Sequence, residues 1–317
     1  MQDSPDGLIP TKGFLQNCMQ PSPDFNDGSP IMSTQVTDEN GELKEVPTLV
    51  APVRDNKNIR YKYSVLEFAE VIDSSSMDGS NWNQILQSIC HNWAGFDAFV
   101  VLHGTDTLAY TASALAFMLG KLDKTVIVTG SQLSMYAPNN DAHDNLLDCL
   151  TVAALFDISE VSVVFHHHLY RATRVTKVSA YSMAAFTTPN AKALASFPKS
   201  AGQSWAVHTH SKSVQHASMR ESYKTAESNG AVKASSQGVI DTSRVAVLKV
   251  YPGISGNLIS SIVSIPNLGG LIIETFGAGN IPMGSGSRDL LEILSTAVQN
   301  GIVVVSVTQC TLIWLCA

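Results

Sequence analysis

From about residue 95 onward, short runs of large apolar residues alternate with longer stretches in which apolar residues recur every three or four positions. Ala98–Leu102 reads as a short buried strand, and Thr107–Leu119 as a helix with Leu108, Ala112, Leu115 and Leu119 on one face. Gly120 supplies its stop. Val126–Thr129 is the next strand, Asp141 is placed to cap a helix through Leu146, Leu147, Leu150 and Ala154, and Val161–Phe165 is a third strand. Strands alternating with helices of this length predict βαβ units and a parallel sheet covered on both faces. The crossovers are expected to be right-handed.

The rhythm is absent at both ends of this region. Residues 1–60 are polar and turn-rich, with Pro21, Pro23, Pro30, Pro47 and Pro52 breaking any long element. Between 196 and 243 Ser, Lys, His, Gln and Ala dominate, which reads as a linker or a poorly ordered insert. The rhythm then resumes with a strand at Val245–Val250, a helix at Gly256–Ile265, a strand at Leu271–Glu274 and a helix at Leu290–Val298. The fold class expected is α/β, with a large N-terminal lobe (1–195) whose parallel-rich sheet is flanked by helices and a smaller C-terminal α/β lobe (244–310). Residues 311–317 form a separate tail. The charge-free stretch 301–317 is at the lower limit of a membrane span and is interrupted by Ser306, Thr308 and Gln309. A buried strand, Ile302–Val307, is favoured over an anchor.

Composition narrows the class. Of 317 residues, 44% are hydrophobic and 15% charged, so there is ample apolar surface for a core and disorder of the whole chain is excluded. A net charge of −7 lacks the basic surface of a nucleic-acid binder. Five scattered cysteines, Cys18, Cys90, Cys149, Cys310 and Cys316, form no Cys-x-x-Cys pair, which points to a reducing compartment and a cytoplasmic protein. Nothing in Met1–Asp6 resembles a secretory leader.

In open parallel sheets, ligands sit beyond the carboxyl ends of strands. Strand Ala98–Leu102 runs into His103-Gly104-Thr105-Asp106-Thr107, which offers a hydroxyl and a carboxylate at the mouth of a helix. Spacing alone is met as well by simple helix capping. After Val161–Phe165 comes Arg171-Ala172-Thr173-Arg174-Val175-Thr176-Lys177, where a desolvated lysine would serve as base for a hydroxyl and a solvated basic turn is the plainer reading. His166-His167-His168 has the look of a metal cluster, but neighbours on a strand face opposite ways and no acidic or thiol partner lies close in sequence. Gly277-Ala278-Gly279-Asn280 lacks the helix of a dinucleotide fingerprint.

His103-Gly104-Thr105-Asp106-Thr107-Leu108 with the helix after it resembles the second signature of the L-asparaginase/glutaminase family, in its cytoplasmic type I branch. The likeness extends through Val128-Thr129-Gly130-Ser131-Gln132, Asp144-Asn145-Leu146-Leu147, Arg174-Val175-Thr176-Lys177, Ser182–Asn190, Tyr251-Pro252-Gly253-Ile254 and Glu274–Asn280. The resemblance implies hydrolysis of the side-chain amide of L-asparagine through a threonine acyl-enzyme, without metal or organic cofactor, in a homodimer or homotetramer. It makes Thr105 and Lys177 a hydroxyl–amine pair, oriented by Asp106, which also holds the substrate's α-ammonium. It makes Asp73-Ser74-Ser75 the loop for the α-carboxylate, with Ser74 the main contact. On this likeness the capping and basic-turn readings are reversed.

The departures set further expectations. The family opens with a strand and a Gly-Gly-Thr turn whose threonine is held to be the primary nucleophile, and Met1–Pro10 resembles the segment after that turn. Thr311–Ala317 matches nothing in the family, and Ala172-Thr173 replaces its usual Gly-Asn. A chain so trimmed is expected to be poorly stable, with an uncovered apolar edge in the second lobe, and impaired in activity. The alternative is a catalytically inactive variant that binds asparagine or pairs with a full-length subunit. Lysophospholipid hydrolysis, the label of some animal relatives, is a weaker reading without an amphipathic lipid-binding helix to support it.

Overall fold

Val126, Ile127 and Val128, like Val163, Val164 and Phe165, alternate between the two faces of a sheet, and all six are almost fully buried. Such runs have no solvent-facing side, so helices must cover both faces. The computed structural model of the chain describes residues 2–4, 7–9, 12–53, 60–197, 208–209, 214–216, 240, 242–282 and 288–311. It divides into two units, Met1–Val239 and Ile240–Ala317.

The first unit begins with a short antiparallel hairpin, β1 (Gln2–Ser4) and β2 (Gly7–Ile9). An antiparallel sheet follows in the order β3 (Met32–Thr37), β4 (Leu43–Val50) and β5 (Lys62–Ser64). The expectation of a merely turn-rich stretch is corrected here. Pro47 stands inside β4 opposite Ser33, and β5 begins to pair only at Thr48, so the missing N–H falls where β4 has one neighbour.

Helix α1 (Gly79–His91) starts in a capping box, with Asp78 and Asn81 each accepting from the other's backbone N–H. Then come β6 (Ala98–Leu102), α2 (Leu108–Leu119), β7 (Thr125–Thr129), α3 (Ala142–Leu155), β8 (Phe156–Ile158), β9 (Val161–Phe165) and β10 (His168–Arg171). Short strands β11 (Thr176–Lys177), β12 (Phe186–Thr187), β13 (Ala195–Ser196), β14 (His208–Thr209) and β15 (Val214–His216) complete the unit. The main sheet runs β14-β13-β10-β9-β7-β6, with β6, β7 and β9 parallel and the remainder antiparallel. Two short strands from the expected linker, β14 and β15, thus pair with β13 and β8. The rest of 198–239 lies outside the described residues.

The core has two layers. Leu108, Ala112, Leu115 and Leu119 of α2 and Ile85 and Ile89 of α1 pack with Val126, Val128, Val163 and Phe165. Cys149, Val152 and Leu155 of α3 pack with Ile127 and Val164 on the opposite face. Each Leu, Ile, Val and Phe side chain among them contributes about 1.5–3 kcal/mol by leaving water. The connections β6–α2–β7 and β7–α3–β9 step in the same direction along the sheet yet place their helices on opposite faces. They are therefore of opposite hand, and one departs from the expected right-handed rule. The long loop 130–141 between β7 and α3 gives the chain room to change face.

His166 and His167 form the turn between β9 and β10, both in the left-handed region (φ 46° and 61°). The histidine run is a hairpin and not one strand. His167 Nδ1 lies 2.9 Å from Asp148 Oδ2, and His168 Nδ1 bonds the His166 carbonyl at 2.8 Å.

The second unit is a parallel sheet in the order β16 (Val245–Lys249), β17 (Gly270–Thr275) and β18 (Val303–Thr308). Helices α4 (Gly256–Val263) and α5 (Arg288–Gln299) connect the strands. Both pack on the face that carries Leu248, Leu271 and Ile273. Covering of both faces, expected for a parallel sheet, is not met here. Val245, Val247, Val303, Val305 and Val307 are exposed. Two connections of the same hand put both helices on one side. No helix among the described residues is long and apolar enough to cross a membrane, and residues 312–317 lie outside the description.

Candidate active site

The parallel strands β6 and β7 end side by side, and their following loops touch at once. His103 N donates to Thr129 O at 2.8 Å. Gly104 then turns the chain so that Ser74 sits directly over it. A Cβ at Gly104 would stand 2.4 Å from Ser74 Oγ. Thr107 Oγ1 donates to Ser74 O at 2.6 Å, which ties the start of α2 to the short 3-10 turn Ser74–Ser76.

Helix capping, the reading set aside above on the family likeness, is not what these residues do. Thr107 makes no side-chain capping bond to α2, and Thr105 and Asp106 turn to a lysine 72 and 71 positions away. Lys177 Nζ lies 2.8 Å from Thr105 Oγ1 and 2.7 Å from Asp106 Oδ1. The Lys177 side chain is 20% exposed and that of Asp106 63% exposed, so one carboxylate oxygen holds the amine while the group opens to solvent. Lys177 is placed by β11, pinned antiparallel to β12 with Lys177 opposite Phe186. Phe186 is buried in the α2-side core, 4.7 Å from the Phe165 ring.

The remaining predicted residues divide. Ser74 is buried against Gly104, while Asp73 and Ser75 lie exposed on the same turn, the Asp73 carboxylate accepting from Ser75 N at 3.0 Å. Arg171, from the same basic segment as Lys177, is engaged by Glu160, with Nη2 to Oε1 at 3.1 Å. An open cleft of about 660 Å³ runs along Asp106, Tyr110, Ser113, Val175, Lys177 and Ser179. Its walls combine the Asp106–Lys177 pair with apolar side chains.

Two participants lie outside the predicted set. Gln132 Oε1 accepts from Thr105 Oγ1 at 3.1 Å, and Gln132 Nε2 donates to Ser182 O at 3.3 Å. His103 is mostly buried, and burial holds its imidazole below the ordinary histidine value, partly offset by its bond to Gly104 O. That carbonyl can only accept, so Nδ1 carries the proton and Nε2 faces Thr111 Oγ1 at 2.8 Å as acceptor. Trp82 Nε1 donates to the same hydroxyl at 3.0 Å, closing a chain behind the 103–107 turn.

A hydroxyl held by an amine, with a carboxylate on that amine, is an arrangement for nucleophilic attack. The family model "Asparaginase, N-terminal" matches residues 25–213, and "Glutaminase/Asparaginase C-terminal domain" matches 244–312. The chain belongs to the asparaginase family.

Its asparaginase-family relatives include L-asparaginase 1 of Escherichia coli (strain K12), 33% identical over 310 residues, which take in 98% of this chain and 76% of the relative. The 60 kDa lysophospholipase of Homo sapiens is 37% identical over 263 residues, 83% of this chain and 42% of the relative. The chain thus spans less than half the length of that relative. Among solved structures, L-asparaginase I from Vibrio cholerae has 35% identity and a TM-score of 0.63, over 76% of this chain and 66% of its own. The two-lobe α/β fold is shared with these asparaginases. The family's N-terminal match takes in Ser74, Thr105, Asp106 and Lys177 together.

Proposed function

We propose that this chain hydrolyses the side-chain amide of L-asparagine to L-aspartate and ammonia, with the Thr105 hydroxyl, rather than the threonine of the family's opening turn, as nucleophile. One observation carries the reading: Lys177 Nζ is shared between Thr105 Oγ1 at 2.8 Å and Asp106 Oδ1 at 2.7 Å. For attack the Thr105 hydroxyl turns its proton from Gln132 to the amine, which in its neutral form takes it as the oxygen bonds to the amide carbon. Returned to the departing nitrogen, the same proton lets the carbon–nitrogen bond break and ammonia leave. Water, deprotonated by the same amine, then cleaves the threonine ester to aspartate and free Thr105.

Recognition of the amino acid follows from charge. The exposed side of Asp106 suits the α-ammonium, and the Asp73–Ser75 turn, with Ser74 braced on Gly104, suits the α-carboxylate. Gripping both ends sets the amide beside Thr105, an orientation effect of several kcal/mol. Named relatives include both L-asparaginase 1 and a 60 kDa lysophospholipase. The reading includes the homo-oligomer that the family likeness implies, which sedimentation would measure.

The test is release of ammonia from L-asparagine, with L-glutamine and lysophosphatidylcholine as competitors for the assignment. Ammonia from asparagine, falling about 10²–10⁴-fold in Thr105→Ala and in Lys177→Met, supports the proposal. Saturable asparagine binding by calorimetry without ammonia makes the site a binding site instead. Fatty-acid release without ammonia overturns the substrate class.

A further inference from the structure

Asp141 occupies the cap position of α3, yet its side chain makes no capping bond to that helix. Its carboxylate, 8% exposed, turns back to the loop 130–141. Oδ2 accepts from Gln132 N at 2.9 Å and from Asn145 Nδ2 at 3.2 Å, and Oδ1 accepts from Leu133 N at 2.9 Å. Asn145, 1% exposed, also donates from Nδ2 to Gly130 O at 2.9 Å and accepts from His166 N at 2.9 Å. Two side chains at the start of α3 thus pin the main chain of residues 130, 132 and 133.

What that clamp aims is the Gln132 side chain. Ser182 O can only accept, so the amide nitrogen must face Ser182 and the amide oxygen must face Thr105. The Thr105 proton is then directed at Gln132, one lone pair receives the Lys177 N–H, and the second lone pair is left open. We propose that Asp141 is a positioning residue for Thr105, acting through Gln132. This rests on the reading of Thr105 as nucleophile. A carboxylate on two adjacent backbone N–H groups makes strong, charge-assisted bonds. Its replacement lets the loop move, and a misplacement of about 1 Å at a nucleophile lowers the rate by up to about 10²-fold.

The test uses two readouts on the full chain. With glutamine labelled selectively in ¹⁵N, the Gln132 side-chain amide signal is assigned by its loss in Gln132→Glu. In Asp141→Asn that signal is expected to move to the position of a free amide. The kcat on L-asparagine is expected to fall about 10–100-fold, with KM changed less than about threefold. Gln132→Glu keeps an acceptor but puts a carboxylate on the Thr105 hydroxyl that Lys177 also binds, so its pH–rate profile should shift alkaline. A purely structural Asp141 would lower the melting temperature without moving the amide signal or the profile. An unmoved Gln132 signal in folded Asp141→Asn overturns the proposal, whatever the activity. Should that variant not fold, Gln132→Met replaces it. A kcat and melting temperature both equal to those of the parent would then reject the proposal. Full activity in Thr105→Ala would instead remove the nucleophile assignment, while the amide signal still judges the clamp.

Discussion

Gly130 packs against the main chain of His103 so closely that a Cβ there would stand 2.1 Å from the His103 carbonyl oxygen. That contact locks the loop after β7 to the loop after β6, and through them Gln132 to Thr105. Because the obstacle is backbone, it cannot swing aside. Gly130→Ala should therefore destabilise the protein by about 1–3 kcal/mol, as overpacking does. Thermal unfolding measures it, and an unchanged melting temperature contradicts it.

Gly104 poses the same question against a side chain. Ser74 Oγ and Cβ would lie 2.4 and 2.7 Å from a new methyl group. Gly104→Ala should push Ser74 away and raise KM for asparagine about tenfold, with kcat less affected. Adding Ser74→Gly should relieve the overlap and recover the melting temperature, but not KM. Recovery of neither would mean that the overlap is not the cause.

The Lys177–Asp106 pair is half open to water, and exposed pairs contribute only about 0–1 kcal/mol. Asp106→Asn should leave the melting temperature nearly unchanged while reducing ammonia release by about 10²–10⁴-fold. A variant that loses stability but keeps its rate would assign the pair to the fold.

Burial lowers the His103 imidazole from the ordinary 6.5. For His166 burial acts first, with His167 and His168 adding to it. The unfolded chain then binds protons at these sites before the folded chain does, so stability rises with pH across the interval between folded and unfolded values. On acidification, stability is lost from about pH 6.5 down through the folded values. Melting temperatures measured from pH 7.5 to 5 should fall, with a shallower fall in His103→Gln. Equal slopes in the two proteins would rule out His103.

The strands and helices of the sandwich were legible because each carries a run or a spacing that no other structure satisfies. Val161–Phe165 is apolar but for a buried serine, Ser162, and Leu108, Ala112, Leu115 and Leu119 share one face of α2. The antiparallel sheet of β3 to β5 escaped notice because its strands are half exposed and β4 contains Pro47. The opposite hand of the two crossovers is a property of the loop 130–141, whose course depends on Asp141 and Asn145 bonding backward to it. Thr105, Asp106 and Lys177 were reached through a family likeness, since 72 residues separate the hydroxyl from its amine. Gln132 stood in a stretch that carried the family likeness, but nothing local gave it a part in the site. Its part depends on a carbonyl at Ser182, fifty residues on.

The bare face of the second unit gives a further expectation. Val247 is 61% and Val303 64% exposed, beside Val305 and Val307. A contiguous apolar patch promotes association. Val247→Lys with Val305→Glu should reduce binding of a hydrophobic dye and light scattering on standing. Stability should stay within about 0.5 kcal/mol of the parent, as for surface changes. A loss of several kcal/mol would show the face to be packed.

Every residue placed in the site, from Asp73 to Ser182, is encoded ahead of the division at Val239 and Ile240. On the ribosome the nucleophile, its amine and the clamp are all made before the second unit begins. At roughly 5–20 residues per second, residues 240–317 alone take on the order of 4–16 s to synthesise. The order of translation therefore puts the parts of the site ahead of the apolar sheet that follows them.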